Sequence, residues 1–184
     1  MATTKSKKSA SNKSRTAEQE NALKELFIDS LKDMYWAEKH LIKDLKKLAK
    51  AATAEELREA FETHAVETEA QVQKLEQVFE LIGEKASAKK CEAMAGLSKE
   101  AEELTESTEE GTEVRDVALI SAAQKVEHYE IASYGTMKTL ANVLGLTDAQ
   151  ALLEEILEEE KKTDVLLTEL AEGFINEAAK NETK

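Results

Sequence analysis

Apolar residues recur every three or four positions along four long segments of this chain, and none of these segments contains a proline. A spacing of three to four residues places side chains on one face of an α-helix, and proline would break such a helix. The 184 residues include no proline at all and only six glycines. The sequence therefore predicts an all-α protein built from long, uninterrupted helices.

The ends of the predicted helices follow from capping residues and glycines. We expect long helices over residues 16–51, 53–83, 113–144 and 147–178. Thr16 can cap the first, Thr53 with Glu56 and Thr147 with Gln150 form possible capping boxes, and Gly145 is a possible C-cap. Residues 84–112 connect the second and third long helices, and helical spacing over 87–107 predicts a further helix there. Two tight hairpins joined by a long connection indicate a ferritin-like four-helix bundle with a long crossover connection that contains an extra helix.

Each long helix carries acidic side chains on the stripe that should face the core. These side chains are Glu38, Glu67, Glu127 with Glu130, and Glu160, and His64 and Asp164 lie one turn from Glu67 and Glu160. A carboxylate inside an apolar core is unfavourable unless something pairs with it. Carboxylates that converge from four helices are typical of a dinuclear metal site.

The predicted ligands depart from the usual arrangement of such sites. The usual site takes one Glu from each of two helices and a Glu-x-x-His from each of the other two. Here the motif on the second helix is reversed, as His64-x-x-Glu67, and the fourth helix has Asp164 in place of a histidine. A site so rich in oxygen favours Fe or Mn over Zn or Cu(I). The alternative is that each of these side chains lies at the edge of the core and reaches solvent.

Charge is distributed unevenly between the N-terminal segment and the rest of the chain. Residues 1–15 contain five basic and no acidic residues, whereas the formal net charge of the whole chain is −13. We expect 1–15 to be a disordered basic tail, or alternatively a weak anchor for anionic surfaces, and 16–184 to be the bundle domain. The acidic body argues against a nucleic-acid partner and suits the attraction of cations.

The sequence also bears on the cellular location of the chain. Cys91 is the only cysteine, so no intramolecular disulfide can form, which fits a reducing cytosol. No apolar run is long enough to span a membrane, and the N-terminus lacks the apolar segment of a secretory signal. These features predict a cytoplasmic protein with no membrane partner.

Four stretches resemble the YciE/YciF family of bacterial stress-associated proteins. They are KDMYWAEKHL, CEAMAGL, AAQKVEHYEIASYGT and LEEEKKTD, and the resemblance extends from about residue 20 to residue 176. It implies a ferritin-like fold, a homodimer and a dinuclear metal site with no settled reaction. It supports the seven candidate ligands Glu38, His64, Glu67, Glu127, Glu130, Glu160 and Asp164.

These observations together predict a core site for two Fe or Mn ions. Glu67 and Glu160 would bridge the ions, Glu38 and Glu127 would each bind one, and His64 would be the nitrogen ligand. The chemistry would be oxidation of Fe(II) or consumption of peroxide or O₂. The main alternative is a non-catalytic structural or stress protein with a silent or absent metal site. A helical partner-binding module is a third possibility, and it predicts an exposed apolar stripe.

Overall fold

The structure, a computed structural model, describes residues 5–182, with side chains described from residue 21 onward. It contains six α-helices and one π-helical segment within this range. The α-helices are α1 (Lys5–Ala51), α2 (Glu55–Leu81), α3 (Glu92–Ser107), α4 (Glu113–Val143), α5 (Thr147–Leu170) and α6 (Asn176–Asn181). The π-helical segment, Ala171–Ile175, joins α5 to α6. The predicted all-α class is confirmed.

Four helices form the bundle, and side-chain pairs define their directions. Lys46 bonds to Glu69 and Tyr35 to Glu76, so α1 and α2 are antiparallel. In the same way, the pairs Gln71–Glu160 and Lys74–Glu155 show that α5 is antiparallel to α2. The pairs Gln124–Thr168 and Lys138–Glu154 show that α5 is also antiparallel to α4. Helices α2 and α4 are therefore parallel. The chain must return along the bundle between them, and α3 makes that return against α4 and α1. The ferritin-like topology with a crossover helix is confirmed.

The first helix begins earlier in the structure than the sequence predicts. The helical backbone of α1 extends back to Lys5 rather than starting at Thr16. No proline or glycine lies between these two residues, so the two residue types least compatible with a helix interior are absent from the segment. Residues 1–4, part of the predicted tail, lie outside the described residues. The division of the chain into a tail and a bundle domain stays a prediction.

Several helix ends match the sequence, but both predicted capping boxes are wrong. Thr112 caps α4 by accepting a hydrogen bond from the Arg115 N–H, and Gly145 follows α4 with a φ of +72°. In contrast, α2 has Ala54 at its N-cap and α5 has Leu146, and neither start has a side-chain cap. The crossover helix α3 begins at Glu92 rather than at Ser87, with Cys91 as its N-cap. A sequence motif for capping is short, and tertiary contacts override it here.

The start of α2 is fixed from another helix, by Asp116 in the first turn of α4. One carboxylate oxygen of Asp116 accepts the Thr53 N–H at 2.8 Å, and the other accepts the Ala54 N–H at 2.7 Å. Asp116 is fully buried. Hydrogen bonds from backbone N–H groups to a carboxylate are among the stronger ones in proteins. Asp116 therefore joins the α1–α2 turn to the start of α4.

The core between the helices is apolar except in one layer and at Asp116 in the first turn of α4. Large buried side chains include Phe27, Phe61, Phe79, Leu75 and Leu119. Among the described helices, none has an apolar stretch long enough to cross a membrane. The polar layer, which holds most of the predicted site residues, lies near the middle of the long helices.

We expect Asp116→Ala to lower the free energy of unfolding by roughly 2 kcal/mol, because the partly buried N–H groups of Thr53 and Ala54 lose a charged acceptor. Chemical denaturation measures the change. Asp148→Ala is the matched control, since Asp148 is also in the first turn of its helix but is exposed. Equal losses in the two variants would contradict the role assigned to Asp116.

Candidate metal centre

Each of the four bundle helices places at least one ionisable side chain in the polar layer. Helix α1 contributes Glu38, α2 contributes His64, α4 contributes Glu127 and Glu130, and α5 contributes Glu160. All five side chains are at most 3% exposed. They lie on the same helix faces as the apolar core residues, so the packing of those faces draws them inward. This agrees with the stripe positions from which the sequence predicted them.

Four of these residues converge on one point. His64, Glu127, Glu130 and Glu160 each offer a ligand atom, and these atoms all lie within 4.8 Å of one another. The His64 Nε2 atom lies 3.4 Å from Glu127 Oε1 and 3.7 Å from Glu160 Oε2. Such a group of nitrogen and carboxylate oxygen atoms can hold a metal ion.

Glu38 joins this group from α1. Its carboxylate lies close enough to Glu130 for the two groups to affect each other's pKa. The hydroxyl of Tyr134, one turn beyond Glu130 on α4, donates to the Oε1 atom of Glu38. Tyr134 is itself fully buried. It therefore fixes the orientation of the Glu38 carboxylate, as an outer hydrogen-bond partner does for a metal ligand.

Gln71 and Thr163 support the other side of the group. The Gln71 side-chain amide donates to Glu160 Oε1, and the Thr163 hydroxyl lies 3.3 Å from the Nδ1 atom of His64. Gln71 is fully buried two turns beyond His64 on α2. Gln71 is not among the site residues predicted from the sequence. The feature that could have identified Gln71 is its amide side chain on the core stripe of α2, where an apolar residue would be expected.

Two predicted ligands, Glu67 and Asp164, lie at the edge of the group. The Glu67 side chain is 47% exposed, and its Oε2 atom is 3.6 Å from His64 Nδ1, on the outer side of the ring. Asp164 accepts a hydrogen bond from Gln124 at 3.3 Å and lies 3.3 Å from His128 Nε2. Neither is among the four residues whose ligand atoms converge. Their roles as metal ligands stay predictions.

Burial and mutual repulsion shift the pKa values of the clustered groups. Burial raises the pKa of Glu38 to about 7, although the Tyr134 hydrogen bond opposes the shift. Burial and the neighbouring carboxylates raise the pKa of Glu130 well above its usual range, and that of Glu160 also rises through burial. Burial lowers the pKa of His64, but Glu127 outweighs it, so the pKa of His64 lies well above its usual value. Without a cation, the cluster retains protons that exposed carboxylates would release.

Several polar atoms in the cluster have no hydrogen-bond partner among the described residues. They are one oxygen each of Glu38, Glu127 and Glu160, both oxygens of Glu130, and His64 Nε2. Buried polar atoms without partners are rare, because each costs free energy that folding must offset. Their concentration at one point indicates that a cation or ordered water belongs there.

The donor set fits hard or borderline divalent cations. Four carboxylates, those of Glu38, Glu127, Glu130 and Glu160, can carry four negative charges, which two divalent cations would balance. Oxygen ligands with one imidazole suit Fe or Mn, and the absence of thiolates in the cluster argues against a soft-metal site. The donor set thus suits a metal ion of this kind.

Comparison with known proteins gives the family. The family model described as a domain of unknown function, DUF892, matches residues 22–180. The protein YciF of Escherichia coli K12 is 52% identical over 160 residues, which cover 86% of this chain and 96% of YciF. The chain belongs to the YciE/YciF family. The resemblance found in the sequence is therefore confirmed.

Solved structures agree with the fold. The crystal structure of the E. coli stress protein YciF has a TM-score of 0.80 and 53% identity, covering 84% of this chain and 97% of that one. YcfI of Rhodopseudomonas palustris, provisionally described as a structural protein, has a TM-score of 0.76 and 39% identity, covering 79% of this chain and 92% of its own. A Xanthomonas campestris protein at 21% identity, with a TM-score of 0.66, shows the fold alone.

We expect the metal-free protein to become less stable as the pH rises from about 5 to 8. The folded state holds a proton on Glu38, whose pKa is about 7, while the unfolded state releases this proton near pH 4.5. Stability from this group is therefore complete below the unfolded pKa and is lost as the pH rises through the folded one, by up to about 3 kcal/mol. Denaturation midpoints across this range, with chelator present, measure the effect.

Glu38→Gln should flatten this pH dependence, because glutamine stays neutral throughout. Glu62→Gln, at an exposed position of α2, is the control and should leave the dependence unchanged. A Glu38→Gln curve as steep as that of the parent protein would show that Glu38 does not retain a proton in the folded state.

Proposed function

We propose that this protein binds two Fe or Mn ions in its bundle core and uses them in a stress response, to oxidise Fe(II) or to consume peroxide or O₂. The observation that carries the proposal is the convergence of buried carboxylates from three helices, α1, α4 and α5, on the imidazole that α2 contributes. Such a cluster is unfavourable in an apolar core unless cations neutralise it. Membership of the family that includes the stress protein YciF supports the biological context.

The residues that would hold the ions are the five buried ones, Glu38, His64, Glu127, Glu130 and Glu160. Each has at least one polar atom free of hydrogen bonds within the described structure. Glu67 would complete the set if its half-exposed carboxylate turned inward past His64. Asp164, which accepts a hydrogen bond from Gln124, would bind an ion from the next turn of α5.

Bound Fe or Mn would supply one-electron redox chemistry at a water-poor position. The protein's own side chains would control the environment of that chemistry. Tyr134 would hold Glu38 in a fixed orientation, and Gln71 would do the same for Glu160. The surrounding Phe61, Ile156 and Leu153 exclude bulk water from the core.

A non-catalytic structural role is the second candidate. The similarity to YcfI, provisionally described as a structural protein, favours it. In this case protons, or a metal ion that takes part in no reaction, would neutralise the carboxylate cluster. The proposed homodimer and cytoplasmic location are compatible with either role.

We expect the protein to take up about two Mn(II) or Fe(II) ions per chain and to melt at a higher temperature when loaded. The change that tests the site is Glu130→Gln with Glu160→Gln, which removes two ligand charges and keeps the side-chain volumes. This double variant should lose the uptake and the stabilisation, because a ligand that binds only the folded state raises its stability. Metal analysis after gel filtration and calorimetry provide the readouts.

The matched control for metal uptake is Glu62→Gln with Glu69→Gln. It changes the net charge equally on exposed positions of α2. Absence of uptake by the parent protein would contradict the proposal. The same assay on Glu67→Gln and Asp164→Asn tests the ligand roles predicted for these two residues from the sequence.

We expect the parent protein to accelerate aerobic oxidation of Fe(II) at least tenfold over the Glu130→Gln/Glu160→Gln variant. The reason is that oxidation requires iron at the core site rather than on surface carboxylates. Absorbance and oxygen consumption after mixing measure the rate, and peroxide replaces O₂ in a second series. Metal binding with no acceleration by either oxidant would favour the structural role.

A further inference from the structure

A groove between α2 and α5 leads from the surface to the buried cluster. Its volume is about 530 Å³. Ala60 and Thr63 of α2 form one wall, and Leu166 and Leu170 of α5 form the other. The groove is far larger than the space one water molecule needs, so hydrated ions can enter it.

His64 separates the groove from the carboxylate cluster. It lines the groove, yet its side chain is only 3% exposed. The Nδ1 edge of the ring faces Thr163 and Glu67, which also line the groove. The opposite atom, Nε2, points to Glu127 and Glu160 and has no hydrogen-bond partner among the described residues. One imidazole ring therefore contacts both compartments.

The groove has a strong excess of negative charge. Its lining includes four carboxylates, those of Glu56, Glu59, Glu67 and Glu159, and one ammonium group, that of Lys162. Glu159 is partly neutralised by Lys74, at 2.5 Å. A cleft lined mainly by charges of one sign concentrates ions of the opposite sign and raises their association rate. The charge favours cations over anionic substrates.

The other sides of the cluster are closed by packed side chains. On the α1–α4 side, Tyr134, Met34 and Met137 are each at most 2% exposed. A cavity of about 330 Å³ on that side is lined by Met34 and Met137 but by no residue of the cluster. On the α3 side, a cavity that reaches Glu127 has a volume of only about 10 Å³, roughly that of a single water. Among the described cavities, the α2–α5 groove is thus the wide approach to the cluster.

We propose that this groove is the entry port for divalent cations, with Glu56 and Glu59 at its outer part and His64 as the inner residue that admits ions to the core. This inference rests on the proposed function, because a port requires a metal site behind it. Ions drawn into the groove would meet Glu67 and the His64 ring before reaching Glu127 and Glu160. Glu67 is half exposed, so its carboxylate can contact ions that enter the groove from the solvent.

The test is the rate of Mn(II) uptake by the full-length protein. Rapid-freeze electron paramagnetic resonance detects free Mn(II) directly, so its loss after mixing gives the rate without any protein signal. Glu56→Gln with Glu59→Gln should slow uptake at least threefold at low ionic strength and much less at high salt, because salt screens exposed charges. The amount bound at equilibrium should stay the same.

Two further variants separate the port from general effects. Lys162→Gln should accelerate uptake, since it removes the one ammonium group lining the groove. The control Glu62→Gln with Glu69→Gln alters the net charge by the same amount on α2 outside the groove lining, and it should leave the rate near that of the parent protein. Ala60→Phe, which fills part of the groove without changing charge, should slow uptake at every salt concentration.

The outcomes distinguish the port from the metal site itself. Slow uptake in the groove variants, with normal stoichiometry, supports the port. Normal stoichiometry with rates that match the control variant overturns the port and leaves the metal site standing. No Mn(II) bound by the parent protein overturns both proposals.

Discussion

The structure depends on how four carboxylates are accommodated in the middle of an apolar core. Glu38, Glu127, Glu130 and Glu160 are all buried, and burial together with the neighbouring carboxylates raises the pKa values of Glu38, Glu130 and Glu160. Full ionisation without a partner would oppose folding, because charge is poorly solvated in a protein interior. The fold can be stable with protons on these groups or with cations between them. The competition between protons and cations links the stability of the bundle to its proposed chemistry.

The topology determines which carboxylates meet. Because α2 and α4 run parallel, His64 and Glu127 can reach each other across the bundle at the same level. That arrangement requires a connection that returns along the bundle, and residues 82–112, which include α3, supply it. Asp116 then fixes the start of α4 to the α1–α2 turn, and so holds the register of the two hairpins. A shift of one turn, about 5.4 Å, would move Glu127 and Glu130 away from His64.

Polar residues around the cluster divide into two groups with different tasks. Tyr134 and Gln71 are buried and hold carboxylates by single hydrogen bonds, which restricts their orientation. Glu67 and Thr163 lie between the cluster and the α2–α5 groove, on the outer edge of His64. Tyr134 and Gln71 favour a rigid site. Glu67 and Thr163 favour exchange between the cluster and the solvent in the groove. A centre that must both hold ions and take them up requires both properties.

The sequence by itself determined the helical class, the approximate segments, the crossover connection and the core position of Glu38, His64, Glu127, Glu130 and Glu160. These follow from local periodicity, because a helix of 3.6 residues per turn assigns each side chain to a face. The tertiary structure decided which residues of different helices contact one another, because local periodicity does not specify these contacts. Asp116, distant in sequence, replaced the predicted capping box at Thr53, and Gln71 and Tyr134 became partners of carboxylates on other helices. Glu67 lies on the predicted stripe but at its edge, since the width of a buried face depends on how closely the neighbouring helix packs. Local patterns identify which side of a helix is buried, whereas packing between helices decides which atoms meet there.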